Sequence, residues 1–284
     1  MAPTEPANAM GDTDYALGHN EAEHQRLIEQ GELLRPLTRR VFEAAGIGPG
    51  MRVLDAGCGA GDVAFLVGEM VGAEGSVLGV DLDGTAVGLA ESRRAVQQVD
   101  NVAFRCGDAR ASALGGPFDA VVGRFVLMFM SDATAALTHF ADQLRPGGIA
   151  VFQEWVAGVH GVSTTQQPVL AAVLELLGET FARSGASLSM GTELYWRMRD
   201  AGLEAAPQPL AEISVSTGTD TPGPRRWALF ARSMLPKAIE YGLTSDAELD
   251  IDTLEHRLRE EYLATRGVMP LTYLMVGQWG RKPS

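Results

Sequence analysis

The sequence predicts a doubly wound α/β fold, in which helices cover both faces of a mostly parallel β-sheet. From residue 51 to about residue 155, short apolar runs of strand length alternate with segments of helix length. That alternation is typical of parallel sheets whose strands are joined by helices. Glycines follow the first apolar run, and the residues Arg145-Pro146-Gly147-Gly148 close a later helix.

The predicted strands are apolar runs that stop at glycines or acids: Met51–Ala56, Ser76–Leu82, Val102–Cys106, Phe118–Gly123 and Ile149–Gln153. The segments between them predict helices at Asp62–Val71, Gly84–Val99 and Asp132–Leu144. Before the first strand, apolar residues recur at helical spacing from His19 to Ala45. Pro36 is expected to divide that stretch into two helices, because proline removes a backbone donor.

Beyond residue 155 the alternation loosens. We predict helices at Pro168–Arg183, Thr192–Ala201, Pro224–Tyr241 and Asp252–Thr265, and strands at Glu212–Ser216 and Leu271–Gln278, the last antiparallel at the sheet edge. Two helical cap inserts, about 156–190 and 218–268, are expected over the carboxyl ends of the strands, where open α/β sheets bind ligands. The predicted division is a flexible tail (1–14), an N-terminal helical lid (15–50), a cofactor-binding core (51–155) and a C-terminal part of the same domain (156–284).

Composition narrows the classes of function. Of 284 residues, 46% are hydrophobic and 21% charged, which is ordinary for a globular protein. The net charge of −13 and the lack of a Lys/Arg cluster argue against nucleic-acid partners and against a standing role on an anionic membrane. Without a signal peptide, a transmembrane run or paired cysteines, a soluble cytoplasmic protein with two reduced thiols is expected.

The glycine-rich segment Val53-Leu54-Asp55-Ala56-Gly57-Cys58-Gly59-Ala60-Gly61-Asp62 carries the sharpest signal. Glycines allow a tight turn and close approach of a ligand, and the following helix offers free N–H groups. Dinucleotide enzymes favour a third glycine three residues after the second, where this chain has Asp62. That acid would repel a pyrophosphate, whereas Asp55 suits a cationic ligand. This combination of acidic side chains and free N–H groups matches S-adenosylmethionine (SAM), which carries an ammonium, a carboxylate and a sulfonium.

Later strand ends add further polar residues. Asp81 ends the second strand about 20 residues after the glycines, where a carboxylate can accept both ribose hydroxyls; Asp83 is expected to cap the next helix. Asp108 follows the third strand and can accept from an adenine amino group. Arg124 ends the fourth strand, beside the expected transfer site.

In their order, these motifs resemble the class I SAM-dependent methyltransferase family, in the branch of quinone-biosynthesis and actinobacterial natural-product enzymes. The matching segments are Val53–Asp62, Gly79–Asp81, Gly107–Asp108, Phe118–Gly123 and Leu144–Gly148, with a further likeness at the closing residues 276–282. The resemblance implies a Rossmann-like, seven-stranded sheet and S-adenosyl-L-homocysteine (SAH) as product. It implies cofactor contacts at Asp55, Gly57, Cys58, Gly59, Asp81, Leu82, Asp108, Ala109 and Arg124, and at Tyr15 and Gln30 of the lid. Many relatives have a smaller or neutral residue at position 124, so an arginine there is expected to need a partner.

Methyl transfer needs alignment and exclusion of water, and a base only when the acceptor must lose a proton. The candidate catalytic residues are His160, Tyr15 and Glu154. His160 follows strand five over the expected mouth of the site, and is otherwise a solvent-exposed loop residue. Glu154 ends that strand and is otherwise a partner of Arg124. Tyr15 is otherwise packing in the lid. No metal site is expected, because the five histidines are scattered.

The cap inserts supply aromatic and sulfur-containing side chains for a flat, apolar substrate. The candidate substrate-binding residues are Met128, Trp155, His160, Tyr195 and Trp227, with Met190, Trp196, Phe230 and Met234 nearby. Each is otherwise a core residue, Trp196 and Trp227 most simply.

The sequence therefore predicts a methyltransferase acting on a small molecule, with a slight preference for an aromatic or heteroaromatic acceptor such as a phenol, quinol or indole of secondary metabolism. A nicotinamide-dependent oxidoreductase and a non-catalytic SAM-binding subunit are the alternatives. The accepting atom and a possible homodimer are left open.

Overall fold

The computed structural model describes residues 21–110, 114–157 and 166–284. The helices are α1 (Glu21–Ala45), α2 (Asp62–Val71), α3 (Gly84–Gln97), α4 (Ala133–Gln143), α5 (Pro168–Arg183), α6 (Met190–Asp200), α7 (Gly223–Glu240), α8 (Asp246–Leu249) and α9 (Ile251–Thr265), with a 3-10 turn at Leu127–Phe129. The strands are β1 (Arg52–Ala56), β2 (Ser76–Asp81), β3 (Val102–Cys106), β4 (Phe118–Arg124), β5 (Leu144–Val156), β6 (Glu204–Ala205), β7 (Leu210–Glu212), β8 (Val215–Ser216), β9 (Met269–Pro270) and β10 (Leu274–Arg281).

The main sheet has eight described strands in the order β3-β2-β1-β4-β5-β10-β6, with β7 also paired to β10. The first five of these are mutually parallel, and β10 runs antiparallel to β5. This confirms the doubly wound, mostly parallel sheet, with one strand more than predicted. Because the chain order reverses between β1 and β4, a crevice for a ligand is expected at their carboxyl ends.

Alternate residues of the central strands bury against opposite layers. Val53 of β1 and Val122 of β4 face α2 and the end of α1, whereas Leu54 and Val121 face the opposite core with α4 and the cap helices. All four are fully buried. A strand covered on both faces must be apolar throughout, which is why these runs do not alternate with polar residues.

The predicted break of the first helix at Pro36 is wrong, because α1 is continuous through that residue. One face of α1 lies against the sheet, with Leu34, Val41 and Phe42 buried. Thr38, also buried, donates a hydrogen bond to Gln153 of β5 at 2.8 Å. Tertiary packing on both sides of the proline thus offsets the lost backbone hydrogen bond.

The C-terminal strands differ from the prediction in two places. The predicted strand Glu212–Ser216 divides into β7, which pairs with β10, and β8, which pairs with β9 in a separate ribbon. The last strand is not at the sheet edge, because β10 lies between β5 and the short strands β6 and β7. Among the described helices, none is long and apolar enough to cross a membrane.

Candidate active site

A cavity of about 760 Å³ opens at the carboxyl ends of the parallel strands. Its two halves differ in chemistry. One half is bounded by the glycine loop and the ends of β2 and β3, including Gly57, Gly59, Asp81, Leu82, Asp108 and Ala109. The other half is largely aromatic, and is bounded by Phe125, Phe129, Met130, Trp155 and Phe181. The volume of the whole cavity lies in the usual range for small-molecule sites.

The glycine loop between β1 and α2 needs glycine for three different reasons. Gly57, Gly59 and Gly61 all have positive φ angles, of 69°, 50° and 89°. A Cβ on Gly57 would lie 2.5 Å from Val126, and one on Gly61 would lie 2.7 Å from the ring of Phe104. A Cβ on Gly59 would meet no atom within 4 Å. Since Gly59 lines the cavity, its bare backbone leaves room for a ligand at that point.

Asp81 at the end of β2 is held by the backbone on both of its carboxylate oxygens. One accepts from the N–H of Gly59 at 2.8 Å, and the other from the N–H of Asp83 at 2.9 Å. Each oxygen keeps a lone pair, so the group can still accept hydroxyl donors from the cavity it lines. Asp83 accepts from the N–H of Thr85 as the N-cap of α3, which confirms the predicted cap.

Asp55 in β1 and Arg124 at the end of β4 interact electrostatically without a direct hydrogen bond between them. Asp55 is fully buried, neither of its oxygens has a hydrogen-bond partner among the described residues, and it is not among the residues that line the cavity. Burial raises the pKa of Asp55 well above its ordinary value, while the positive charge of Arg124 opposes the shift. A direct cofactor contact by Asp55 therefore remains a prediction.

Arg124 lines the cavity and is anchored by the first helix. Its guanidinium donates to the hydroxyl of Thr38 at 3.1 Å. Burial lowers the pKa of Arg124, and the carboxylates of Asp62 and Asp55 oppose that effect. The expected need for a partner is met by a hydroxyl and two nearby acids rather than by Glu154.

Asp62 begins α2 and is already neutralised by a neighbour. Arg93 of α3 forms an ion pair with it at 2.9 Å and also donates to the carbonyl of Ala60. A Cβ on Gly31 of α1 would lie 2.4 Å from the Asp62 carboxyl carbon, so α1 touches the start of α2. The repulsion expected between Asp62 and an anionic ligand is therefore weaker than the sequence alone predicts.

Asp108, the predicted adenine partner, also has a basic neighbour. Its carboxylate accepts from the backbone N–H of Arg110 and pairs with the guanidinium of the same residue at 2.8 Å. This hydrogen bonding lowers the pKa of Asp108. Asp108, Ala109 and Arg110 all line the cavity, as do Cys58, whose thiol pKa is raised by burial, and Gln30.

The aromatic half of the cavity is centred on Trp155 at the end of β5. Its ring lies 4.4 Å from that of Phe125 and 5.7 Å from that of Phe181, measured between centroids. The rings of Phe230 and Tyr273 also pack against it, at 5.9 Å and 5.4 Å, and neither of these two residues lines the cavity. The indole Nε1 is buried and has no hydrogen-bond partner in the described part of the chain. Trp155 thus lines the cavity, and its role in substrate binding remains a prediction.

Three predicted substrate residues are placed elsewhere. Met128 is buried beneath the cavity wall, and the 3-10 turn presents Phe129 and Met130 to the cavity instead. Trp227 is a core residue whose indole N–H donates to the carbonyl of Pro270 at 2.7 Å. Tyr195 lies on α6, paired with the exposed Trp196, outside the cavity wall. Sequence could not place these side chains, because the rotation of a helix or turn about its axis depends on its packing.

Two of the predicted catalytic residues, Tyr15 and His160, lie outside the described residues. Glu154 is described, is fully buried, and does not line the cavity. Sequence reasoning missed Arg26, Phe129 and Phe181 as lining residues. Arg26 donates to Gln30 at 2.8 Å, so the four-residue spacing on one helix face was a usable signal. Nothing in the sequence indicated which face of α5 would present Phe181.

The site fits the predicted cofactor on its own geometry. The open side of Gly59 and the backbone-held carboxylate of Asp81 lie at the same end of the cavity. Leu82, an apolar side chain that is 61% exposed, borders the same half. Backbone N–H groups, a carboxylate that can accept hydrogen bonds from ribose hydroxyls, and an apolar surface together suit a nucleoside with a charged tail. In the described part of the chain, no group of three or more His, Cys, Asp or Glu side chains is arranged to hold a metal ion.

Comparison with known proteins gives the family. A sequence profile described as "Methyltransferase domain" matches residues 47–202, which is more than half of the chain and includes the glycine loop, Asp81, Asp108 and Trp155.

Several curated relatives are named as methyltransferases of natural products or of quinone biosynthesis. The chain is 34% identical over 118 residues to nocamycin O-methyltransferase of Saccharothrix syringae (41% of this chain, 42% of that protein). It is 33% identical over 122 residues to aklanonic acid methyltransferase DauC of Streptomyces sp. strain C5 (43% and 56%). It is 32% identical over 161 residues to the ubiquinone/menaquinone biosynthesis C-methyltransferase UbiE of Xylella fastidiosa (52% and 60%). The chain spans about half the length of the curated relatives it matches.

Solved structures share the fold. The YcgJ protein of Bacillus subtilis superposes with a TM-score of 0.56 at 19% identity, covering 88% of this chain and 98% of that one. A Haemonchus contortus phosphoethanolamine N-methyltransferase, solved with SAH, gives 0.51 at 18% identity, covering 86% and 52%. Profile, relatives and fold agree with the geometry of the cavity: the chain belongs to the methyltransferase-domain family, has the fold of class I SAM-dependent methyltransferases, and is related to quinone and natural-product methyltransferases.

Proposed function

We propose that this protein transfers the methyl group of SAM to a flat, largely apolar small molecule, with a phenol, quinol or indole-type ring as acceptor. The observation that carries the proposal is the continuity of the cavity, which joins the glycine loop to the aromatic half around Trp155 and Phe125. Aromatic side chains pack well against planar rings, in offset or edge-on arrangements. Related proteins named for aklanonic acid and for quinone biosynthesis support the same class of acceptor.

When bound, SAM supplies an electrophilic methyl carbon on a sulfonium. On transfer, the acceptor's electron pair would form the new bond to that carbon while the carbon–sulfur bond breaks. The electrons of the broken bond would stay on sulfur, which leaves the thioether SAH, and the acceptor's proton would pass to solvent or to a base.

The protein's own contribution is alignment and exclusion of water. Asp81 and the loop glycines hold the nucleoside end, while Trp155, Phe125 and Phe181 provide a low-polarity surface at the acceptor end. In the described part of the aromatic half, the lining side chains include no carboxylate or histidine. An acceptor proton would therefore leave to solvent or to a group outside the described residues, and His160 and Tyr15 remain the proposed candidates.

The net charge of −13 supports a small-molecule acceptor over a nucleic acid. A nicotinamide oxidoreductase is not favoured, because both the profile and the relatives are methyltransferases. The glycine loop and Asp81 are intact, whereas loss of activity is usually marked by degradation of that loop, and this counts against a non-catalytic SAM-binding subunit.

The proposal is tested in two steps. Calorimetry should register binding of SAM and SAH and none of NADH. The enzyme is then incubated with methyl-labelled SAM and a panel of phenols, quinols, indoles, aliphatic amines and RNA, and products are followed by mass spectrometry. Label on a planar aromatic compound supports the proposal. Label confined to aliphatic amines or RNA would overturn the acceptor class, and absence of SAM and SAH binding would overturn the activity.

A further inference from the structure

Glu154 carries a fully buried carboxyl group that the proposed methyl transfer does not use. Its Oε1 accepts from the backbone N–H of Leu127 at 2.9 Å and from that of Val126 at 3.1 Å. Its other oxygen, Oε2, has no partner among the described residues. Burying a carboxyl group costs free energy unless the group is hydrogen-bonded, so the two bonds that Oε1 accepts are the ones to explain.

The stabilised element is the turn that follows β4. Phe125 has a φ of 58°, in the left-handed region that a bulky side chain rarely adopts. Its own N–H donates to the carbonyl of Gln153 at 2.9 Å. The N–H groups of Val126 and Leu127 stand at the start of the 3-10 turn, where no earlier carbonyl of the turn can accept them. Glu154 accepts both, and so offsets the strain of Phe125.

This turn separates the two halves of the cavity and touches both. On the cofactor side, Val126 lies so close to Gly57 that a Cβ there would be 2.5 Å from Val126 Cγ2. On the acceptor side, the ring of Phe125 lies 4.4 Å from that of Trp155, and Phe129 also lines the cavity. A displacement of the turn would therefore alter both binding surfaces together.

We propose that Glu154 is a positioning residue: its carboxyl group fixes the turn 125–129 between the cofactor and acceptor halves, and thereby sets the affinity of one and the shape of the other. The inference rests on the proposed function. It also replaces the prediction that Glu154 is catalytic, because Oε1 is engaged with backbone amides and the residue does not line the cavity.

Three variants test the inference: Glu154→Ala, which removes the acceptor; Glu154→Gln, which keeps an amide oxygen in its place; and Gln278→Ala as a control. Gln278 is also fully buried and bonded to backbone, at the carbonyl of Ala206, but lies outside the cavity wall. SAH affinity is measured by calorimetry at a temperature at which each variant is folded. The acceptor side is followed by fluorine NMR of protein labelled with fluorotryptophan, the Trp155 signal being assigned with Trp155→Phe.

We expect Glu154→Ala to weaken SAH binding about tenfold, because two buried N–H groups lose their acceptor and the turn relaxes. The Trp155 signal should shift or broaden in the same variant. Glu154→Gln should bind SAH within about threefold of wild type, because the amide oxygen can accept the same two bonds. Gln278→Ala should lose stability but keep both the affinity and the Trp155 signal.

Unchanged SAH binding and an unchanged Trp155 signal in folded Glu154→Ala would overturn the inference, as would equal changes in Gln278→Ala. If Glu154→Ala does not fold, Glu154→Asp, which withdraws the carboxylate by one methylene, is compared in the same two measurements and must show the same pair of changes. A wild type that gives no heat with SAH counts against the proposed function, whereas the Trp155 signal still decides the positioning role.

Discussion

The hydroxyl of Thr38 on α1 donates to Oε1 of Gln153 on β5 at 2.8 Å and accepts from Arg124 on β4 at 3.1 Å. One buried side chain thus joins α1 to two strands, β4 and β5. Because α1 also supplies Arg26 and Gln30 to the cavity wall, this contact links the position of α1 to the cavity.

Replacing Thr38 with valine keeps the shape of the side chain and removes both hydrogen bonds. The buried amide of Gln153 and the guanidinium of Arg124 would each lose a partner, and we expect a loss of about 1–3 kcal/mol in the free energy of unfolding. Denaturant titration measures it, and SAH affinity should fall as well.

The matched control is Thr180→Val. Thr180 is equally buried, but its hydroxyl donates to the carbonyl of Leu176 within the same helix. A loss of stability as large at Thr180 as at Thr38 would contradict the assigned role of the Thr38 contact.

The open side of Gly59 predicts a selective loss of binding. In Gly59→Ala the new methyl group enters the cavity, while the φ of 50° adds strain of about 1 kcal/mol. SAH binding measured by calorimetry should weaken by at least about tenfold, with only a modest change in melting temperature.

Gly88→Ala is the comparison, because Gly88 lies in α3 with no atom within 4 Å of the added Cβ. It should leave SAH binding unchanged and stabilise the helix by up to about 1 kcal/mol. Wild-type SAH affinity in Gly59→Ala would show that the ligand does not approach the loop there.

Asp81→Asn should also impair cofactor binding. An amide nitrogen would face one of the two N–H groups that the carboxylate now accepts, from Gly59 or Asp83. The side chain would turn or the loop would shift, and a neutral group accepts ribose hydroxyls less well. We expect SAH binding to weaken by about 1.5–3 kcal/mol, as for hydrogen bonds to charged groups.

Asp132→Asn is a suitable control, since Asp132 caps α4 away from the cavity and asparagine is an equally good cap. Equal SAH affinity in wild type and Asp81→Asn would refute the assignment of Asp81 to the cofactor.

Stability should fall as the pH rises through the neutral range. Burial raises the pKa of Glu154 from 4.5 to about 8, so the folded protein holds this proton more tightly than the unfolded chain does. The contribution of this protonated group to the free energy of unfolding is fully present below pH 4.5 and is lost as the pH approaches 8. The free energy of unfolding then falls by at most about 1.4 kcal/mol per pH unit, as for one proton. Asp55, with its raised pKa, contributes in the same direction.

The measurement is the melting temperature from pH 5.5 to 8.5 in wild type and Glu154→Gln. The decline should be clearly shallower in the variant, because glutamine does not titrate. Parallel curves would mean that Glu154 is ionised in the folded protein throughout this range.

Local sequence was sufficient for most elements of the core. The bounds of α2, β3 and α5 agree with the prediction, because run length, periodicity and punctuation by glycine and proline are local properties. The glycine loop was predicted for the same reason, since its positive φ angles at Gly57, Gly59 and Gly61 are a demand on the backbone that only glycine meets easily.

Orientation and partnership depended on the tertiary structure. The 3-10 turn decides that Phe129 rather than Met128 borders the cavity, and Trp227 is in the core because its N–H reaches Pro270, 43 residues away. Glu154 reaches the backbone of Leu127, 27 residues earlier.

What the amino-acid sequence determined by itself was the alternating sheet, the cofactor loop and the acids beside it. These features follow from backbone geometry and from spacing along the chain. Which aromatic rings line the cavity, and which buried carboxyl group holds its dividing turn, was decided only on folding. Those contacts join residues far apart in the chain, and a side chain's direction depends on the layer packed against it.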